Sequence, residues 1–109
     1  MTSRYAIFPV KETIELSEIS QIRRIADEMV ETYATMPESF SYRILLPRGG
    51  KSTGRAKRLG VSLQGEFILG VRRKNIVPRV REVRYLHDEN HYGWLLADPA
   101  IFDSFESRA

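Results

Sequence analysis

The sequence predicts an α+β fold: a small antiparallel sheet of four to five strands, one long amphipathic helix over about residues 17–36 packed on one face, and a short C-terminal helix. Three observations predict it. Apolar residues recur in steps of three and four at Ile19, Ile22, Ala26, Met29, Tyr33 and Met36, which is the spacing of a single helix face. Other segments alternate with the period of two that a half-buried strand requires. The order is strand, helix, then a run of three or four strands, which lays the helix over a sheet of neighbouring hairpins.

Taken in order, Tyr5 to Val10 reads as a first strand, with Pro9 favouring an edge or a strand end. An acidic linker, Lys11 to Leu16, leads to the helix. Ser17 is the expected N-cap, Glu18 faces the helix dipole, and Pro37 stops the helix after Met36. Phe40, Tyr42, Ile44 and Leu46 mark a second strand. Residues 47–60 hold four glycines, a proline and five bases with little to bury, so they predict a mobile exposed basic loop. From Val61 the odd positions Val61, Leu63, Phe67, Leu69 and Val71 are apolar, interrupted at Gly65, and predict a long strand with a bulge. A basic turn, Arg72 to Asn75, precedes a strand over Val80 to Leu86. Residues 87–91 then turn into Tyr92 to Ala97, and Asp98 with Pro99 opens the closing helix.

Length and composition set the outer bounds. The 109 residues suit one domain, 1–109, with enough apolar residues (42%) to bury a core without staples. No cysteine is present, which excludes disulfides, thiolate metal sites and cysteine nucleophiles. No segment has the length of a membrane span and Met1 to Val10 is unlike a leader, so the expected compartment is the cytoplasm.

Charge is distributed unevenly. Bases number four against seven acids in residues 1–42, twelve against two in 43–84, and one against five in 85–109, or −3, +10 and −4 within a net +3. A basic middle third of this kind points to an anionic partner. Gly50-Lys51-Ser52 is not a phosphate-binding nucleotide loop, because Leu45 stands where that motif needs glycine. His87-Asp88-Glu89-Asn90-His91 lacks the helical context and third ligand of a zinc site and reads as a polar turn. Glu66 and Glu82 stand among arginines as salt-bridge partners rather than tuned catalytic acids.

The expected function is therefore a non-enzymatic nucleic-acid-binding or regulatory module, acting on DNA or RNA without a cofactor or metal. Its phosphate contacts are Arg48, Lys51, Arg55, Lys57 and Arg58 on the loop, with Arg72, Arg73 and Lys74 as a second contact. Two other classes fit the same charges. One is an inhibitor or assembly subunit docking on an acidic protein; the other is a small enzyme with an arginine-lined pocket for an anionic metabolite, in which Glu82 serves as acid or base.

Overall fold

The chain runs through β1 (Glu12–Glu15), α1 (Ile22–Thr35), β2 (Ser41–Pro47), α2 (Thr53–Arg73), β3 (Arg81–Leu86), β4 (His91–Ala97) and α3 (Pro99–Arg108). Short 3-10 turns lie at Arg4–Ile7, Ile19–Gln21 and Pro37–Ser39. The structure is a computed structural model that describes residues 4–48 and 53–108.

The fold is α+β, with a four-stranded sheet in the order β1-β2-β4-β3. The sheet is mixed rather than wholly antiparallel. β1 pairs parallel with β2, whereas β4 runs antiparallel to both β2 and β3. The reason is the connection: a helix between two neighbouring strands returns the chain to the same end of the sheet, so α1 makes β1 and β2 parallel. In the same way α2 carries the chain across β4's position, leaving β2 and β3 on either side of it.

The expected first strand at Tyr5 to Val10 is instead a 3-10 turn followed by Phe8, which is buried against Phe102 and Phe105. Pro9 has no N–H to give a ladder. The edge strand is the segment read as an acidic linker, where only Ile14 and Leu16 need cover. A polar edge suffices there because one long side of the strand faces no partner.

α1 lies where the periodicity places it, with Ile22, Ile25, Ala26, Met29, Val30 and Tyr33 buried. The chain enters it later than expected, through the 3-10 turn Ile19–Gln21, whose cap is displaced by one residue. Gln21 Oε1 accepts the N–H groups of Ser17 (2.8 Å) and Glu18 (2.9 Å), so Glu18 rather than Ser17 caps the turn that feeds the helix.

The main correction is α2. Residues 53–60, expected within the mobile loop, 61–71, expected as a strand, and Arg72 and Arg73, expected in a basic turn, form one 21-residue helix. Ala56, Leu59, Leu63, Phe67 and Val71 are buried at steps of three and four, while Val61 and Leu69 are 51% and 47% exposed. A strand would have buried those two along with Leu63. Asn75, at φ 60°, ends the segment in the left-handed conformation that asparagine tolerates at a helix terminus. Gly70 lets α2 approach α1 closely, since a Cβ there would lie 2.6 Å from Val30 Cγ2.

Side-chain parity divides the core into two. Tyr42, Ile44, Leu46, Trp94 and Leu96 face α1 and α2, and Leu95 and Ala97 face Phe8 and Phe102 on the other side. Asp98 and Pro99 open α3 as expected, with Asp98 Oδ1 accepting Ala100 N–H at 3.0 Å. Among the described residues no helix is long and apolar enough to cross a membrane.

Candidate functional site

Burial of the Ala56–Leu59–Leu63 stripe decides where the cations of α2 point. With that stripe against the sheet, Arg55, Lys57 and Arg58 stand exposed in the first two turns. Arg55 Nη2 donates to Ser17 O at 2.9 Å, which holds the helix start against the turn before α1. Ion pairs of the described residues engage Arg4, Arg23, Lys74, Arg81, Arg84 and the two histidines, but not Arg55, Lys57 or Arg58. Arg55 and Arg58 are one turn apart, a like-charge spacing that destabilises a helix. They also sit at the end where the backbone dipole opposes positive charge.

Arg48 closes the same corner from the end of β2. Its backbone N–H donates to Asn90 O at 2.8 Å, its Nη1 donates to Asp88 O at 2.7 Å, and its guanidinium lies 5.3 Å from the Tyr92 ring centroid. The strand-to-strand turn that receives it is set by Asp88, whose Oδ1 accepts the N–H groups of Asn90 and His91, each at 2.7 Å. Lys51, the remaining loop cation singled out from the sequence, lies outside the described residues.

The second group of expected contacts is elsewhere. Arg72 and Arg73 occupy the last turn of α2, and Lys74 Nζ is 2.9 Å from Glu31 of α1. From Arg55 to Arg72 is roughly 26 Å along the helix at its usual rise. The structure therefore does not join the two groups into one surface. Arg72 and Arg73 also have a structural account, since cations are favoured at a helix C-terminus, and Lys74 has a carboxylate.

The cations at the start of α2 adjoin a cavity of about 410 Å³ between that helix and the β3–β4 hairpin. Leu46, Ala56, Gly60, Tyr92 and Trp94 give it apolar and aromatic walls, with Lys57, Arg84 and Leu86 also lining it. No carboxylate of the described residues lines it. Tyr92 and Trp94 share this face because they are two apart on β4. Trp94 lies against α2 at Gly60, where a Cβ would be 2.3 Å from its Cζ3. The Arg84 guanidinium stands 5.3 Å from the Trp94 ring centroid, and its Nε donates to Glu82 at 2.7 Å. Glu82 is thus a salt-bridge partner, as the sequence suggested. Trp94 Nε1 is buried and has no hydrogen-bond partner among the described residues.

Compared with protein-family models, curated proteins and solved structures, the chain matches none. Its function is read from its own geometry.

Four other polar residues belong to the fold. Arg43 on the opposite sheet face donates through Nη2 to Ala6 O and Phe8 O, clipping the N-terminal segment to β2. Tyr85 is beside it, its phenol pushed up mainly by burial while Arg43 pulls it down. Glu12 is raised chiefly by the hydrogen bond it shares with Glu28, then by burial. His91 ties the hairpin to the edge strand, its Nε2 3.0 Å from Glu15 Oε1 and its Nδ1 3.3 Å from Asp88 Oδ1. Those partners raise its pKa, Glu15 most. Among the described residues no group of three His, Asp or Glu side chains is placed to hold a metal ion.

Sequence reasoning found the cations of this corner and missed its cavity. Read as part of a loop, Gly60 gives no reason to face Trp94. The available signal was the helical stripe through Ala56, Gly60 and Leu63, which turns small residues toward the only tryptophan.

Proposed function

We propose that the chain is a nucleic-acid-binding module that holds a phosphate backbone at the start of α2, on Arg48, Arg55, Lys57 and Arg58. One observation carries this reading. Three cations crowd the first two turns of a helix, against its dipole, and no carboxylate of the described residues neutralises them. A fold optimised for stability alone would place acids there. A phosphate supplies the missing negative charge, and each phosphate bound releases condensed counterions. Arg72, Arg73 and Lys74 are left out of the contact, because the dipole and Glu31 already account for them.

The test is anisotropy of labelled DNA and RNA strands in a salt titration. Affinity should fall steeply with salt, and each single-strand phosphate contact removed should flatten the log–log slope by roughly 0.7. Lys57→Glu with Arg58→Glu should weaken binding at every salt concentration, whereas Arg72→Glu with Arg73→Glu should leave it close to wild type. Absence of binding at low salt, or equal losses in the two double variants, overturns the proposal.

A further inference from the structure

We infer that the cavity between α2 and the β3–β4 hairpin seats one unpaired base of a bound strand, with the adjoining phosphates on Lys57 and Arg58. The inference rests on the nucleic-acid reading and names the part of the ligand that the cations do not require. Phosphate contacts position a strand without selecting what it carries, and the cavity is suited to something other than phosphate. Its volume of about 410 Å³ falls within the ~300–1,000 Å³ of small-ligand sites.

Its lining is also particular. Tyr92 and Leu86 offer partly exposed aromatic and apolar surface over a floor of buried Leu46 and Trp94, and the charged side chains of the described residues that reach it, Lys57 and Arg84, are both cations. An aliphatic ligand would leave Lys57 without a counter-charge, Arg84 being held by Glu82. A flat ring joined to a phosphate answers both features. Arg84 over Trp94 and, beside the cavity, Arg48 over Tyr92 present guanidinium planes, on which, as on aromatic rings, bases of single strands stack. A base within a duplex cannot enter without unpairing, so single strands are the preferred ligand.

Trp94 is the only tryptophan, so its emission reports on this cavity. The experiment titrates the full chain with single-stranded DNA of about eight nucleotides, within the site sizes of single-strand binders, with an abasic strand of equal length, and with AMP. The intact strand should change Trp94 emission and bind about fivefold or more tighter than the abasic strand, the lower end of what one stacked base contributes. Leu86→Glu alters a cavity-lining residue that is 63% exposed, which spares folding. It should bring the intact-to-abasic ratio toward one, whereas Arg58→Glu should weaken both strands by the same factor.

Equal, salt-dependent binding of both strands by the wild type would overturn the base site and leave the nucleic-acid reading standing. A saturable response to AMP with no binding of either strand would overturn the strand reading and, with it, the base site as stated. No response to any of the three probes would overturn both.

Discussion

Gly60→Ala is the substitution that tests the architecture of the site most directly. Glycine inside a helix ordinarily costs about 0.5–1 kcal/mol relative to alanine, so the change should stabilise α2 unless something opposes the new methyl. Here the opposing group is the indole of Trp94, with Cζ3 at 2.3 Å and Cε3 at 2.7 Å from the position of the added Cβ. Trp94 is 2% exposed and cannot swing freely, and forcing one extra carbon into such a contact costs about 1–3 kcal/mol. The overpacking outweighs the backbone gain by about 1 kcal/mol. Gly65→Ala supplies the control within the same helix. A Cβ there meets nothing within 4 Å, so the backbone gain of about 0.5–1 kcal/mol should stand alone. Urea denaturation followed by Trp94 emission reads both variants, with opposite displacements of the midpoint and, for Gly60→Ala, an altered native spectrum. If Gly60→Ala stabilises as much as Gly65→Ala, α2 does not lie on Trp94. If Gly65→Ala destabilises, residue 65 is not in a helix.

Three further outcomes are expected. Asp98→Ala should lower stability by about 1 kcal/mol through loss of the cap on α3, with Asp98→Asn retaining most of it; equal melting of all three proteins would remove that hydrogen bond from the account. His91, raised by Glu15 and Asp88, contributes stability that is fully present below its unfolded pKa of about 6.5 and is lost as pH rises through its higher folded value. The stability difference between wild type and His91→Gln should accordingly be larger at about pH 5.5 than at about pH 8.5, below and above the ordinary histidine range, and a pH-independent difference would refute the linkage. Finally, Arg58→Glu should raise stability by about 0.5–1 kcal/mol, by turning the Arg55–Arg58 repulsion into attraction, while weakening strand binding. Arg72→Glu should do neither, lowering stability at the C-terminal end of the helix; a common sign of the two stability changes would count against the charge argument.

The fold was legible where one period was unopposed. α1 could be read because Ile22, Ile25, Met29 and Tyr33 fit a helix face and no alternation competes with them. β2 and the β3–β4 hairpin could be read for the converse reason. α2 could not, because Leu63, Phe67 and Val71 satisfy both periods at once: steps of four are even, so a helix stripe of this kind also occupies one strand parity. Val61 and Leu69 share that parity and complete a false strand, while Gly54, Gly60, Gly65 and Gly70 lower the apparent helix propensity. What decides for the helix is tertiary. Gly60 and Gly70 are the contact points with Trp94 and Val30, where a larger residue would hold α2 off the sheet or off α1. The residues that most obscured the helix are thus among those that allow it to dock.

The same misreading concealed the site. A loop over residues 47–60 gives its cations no fixed orientation and allows Arg72 to Lys74 to lie beside them. A continuous helix makes the two groups opposite poles about 26 Å apart and assigns them different physics. At the C-terminal pole, local electrostatics and Glu31 favour the cations. At the N-terminal pole the helix dipole, the Arg55–Arg58 spacing and the lack of carboxylate partners among the described residues all oppose them, and a cavity with an aromatic wall lies within reach of Lys57. Departures from stabilising local rules gather where a chain serves something besides its own stability. Charge that the described residues leave uncompensated and space that the core leaves unfilled occur at one end of one helix, which is why the proposed ligand is a phosphate joined to a flat ring.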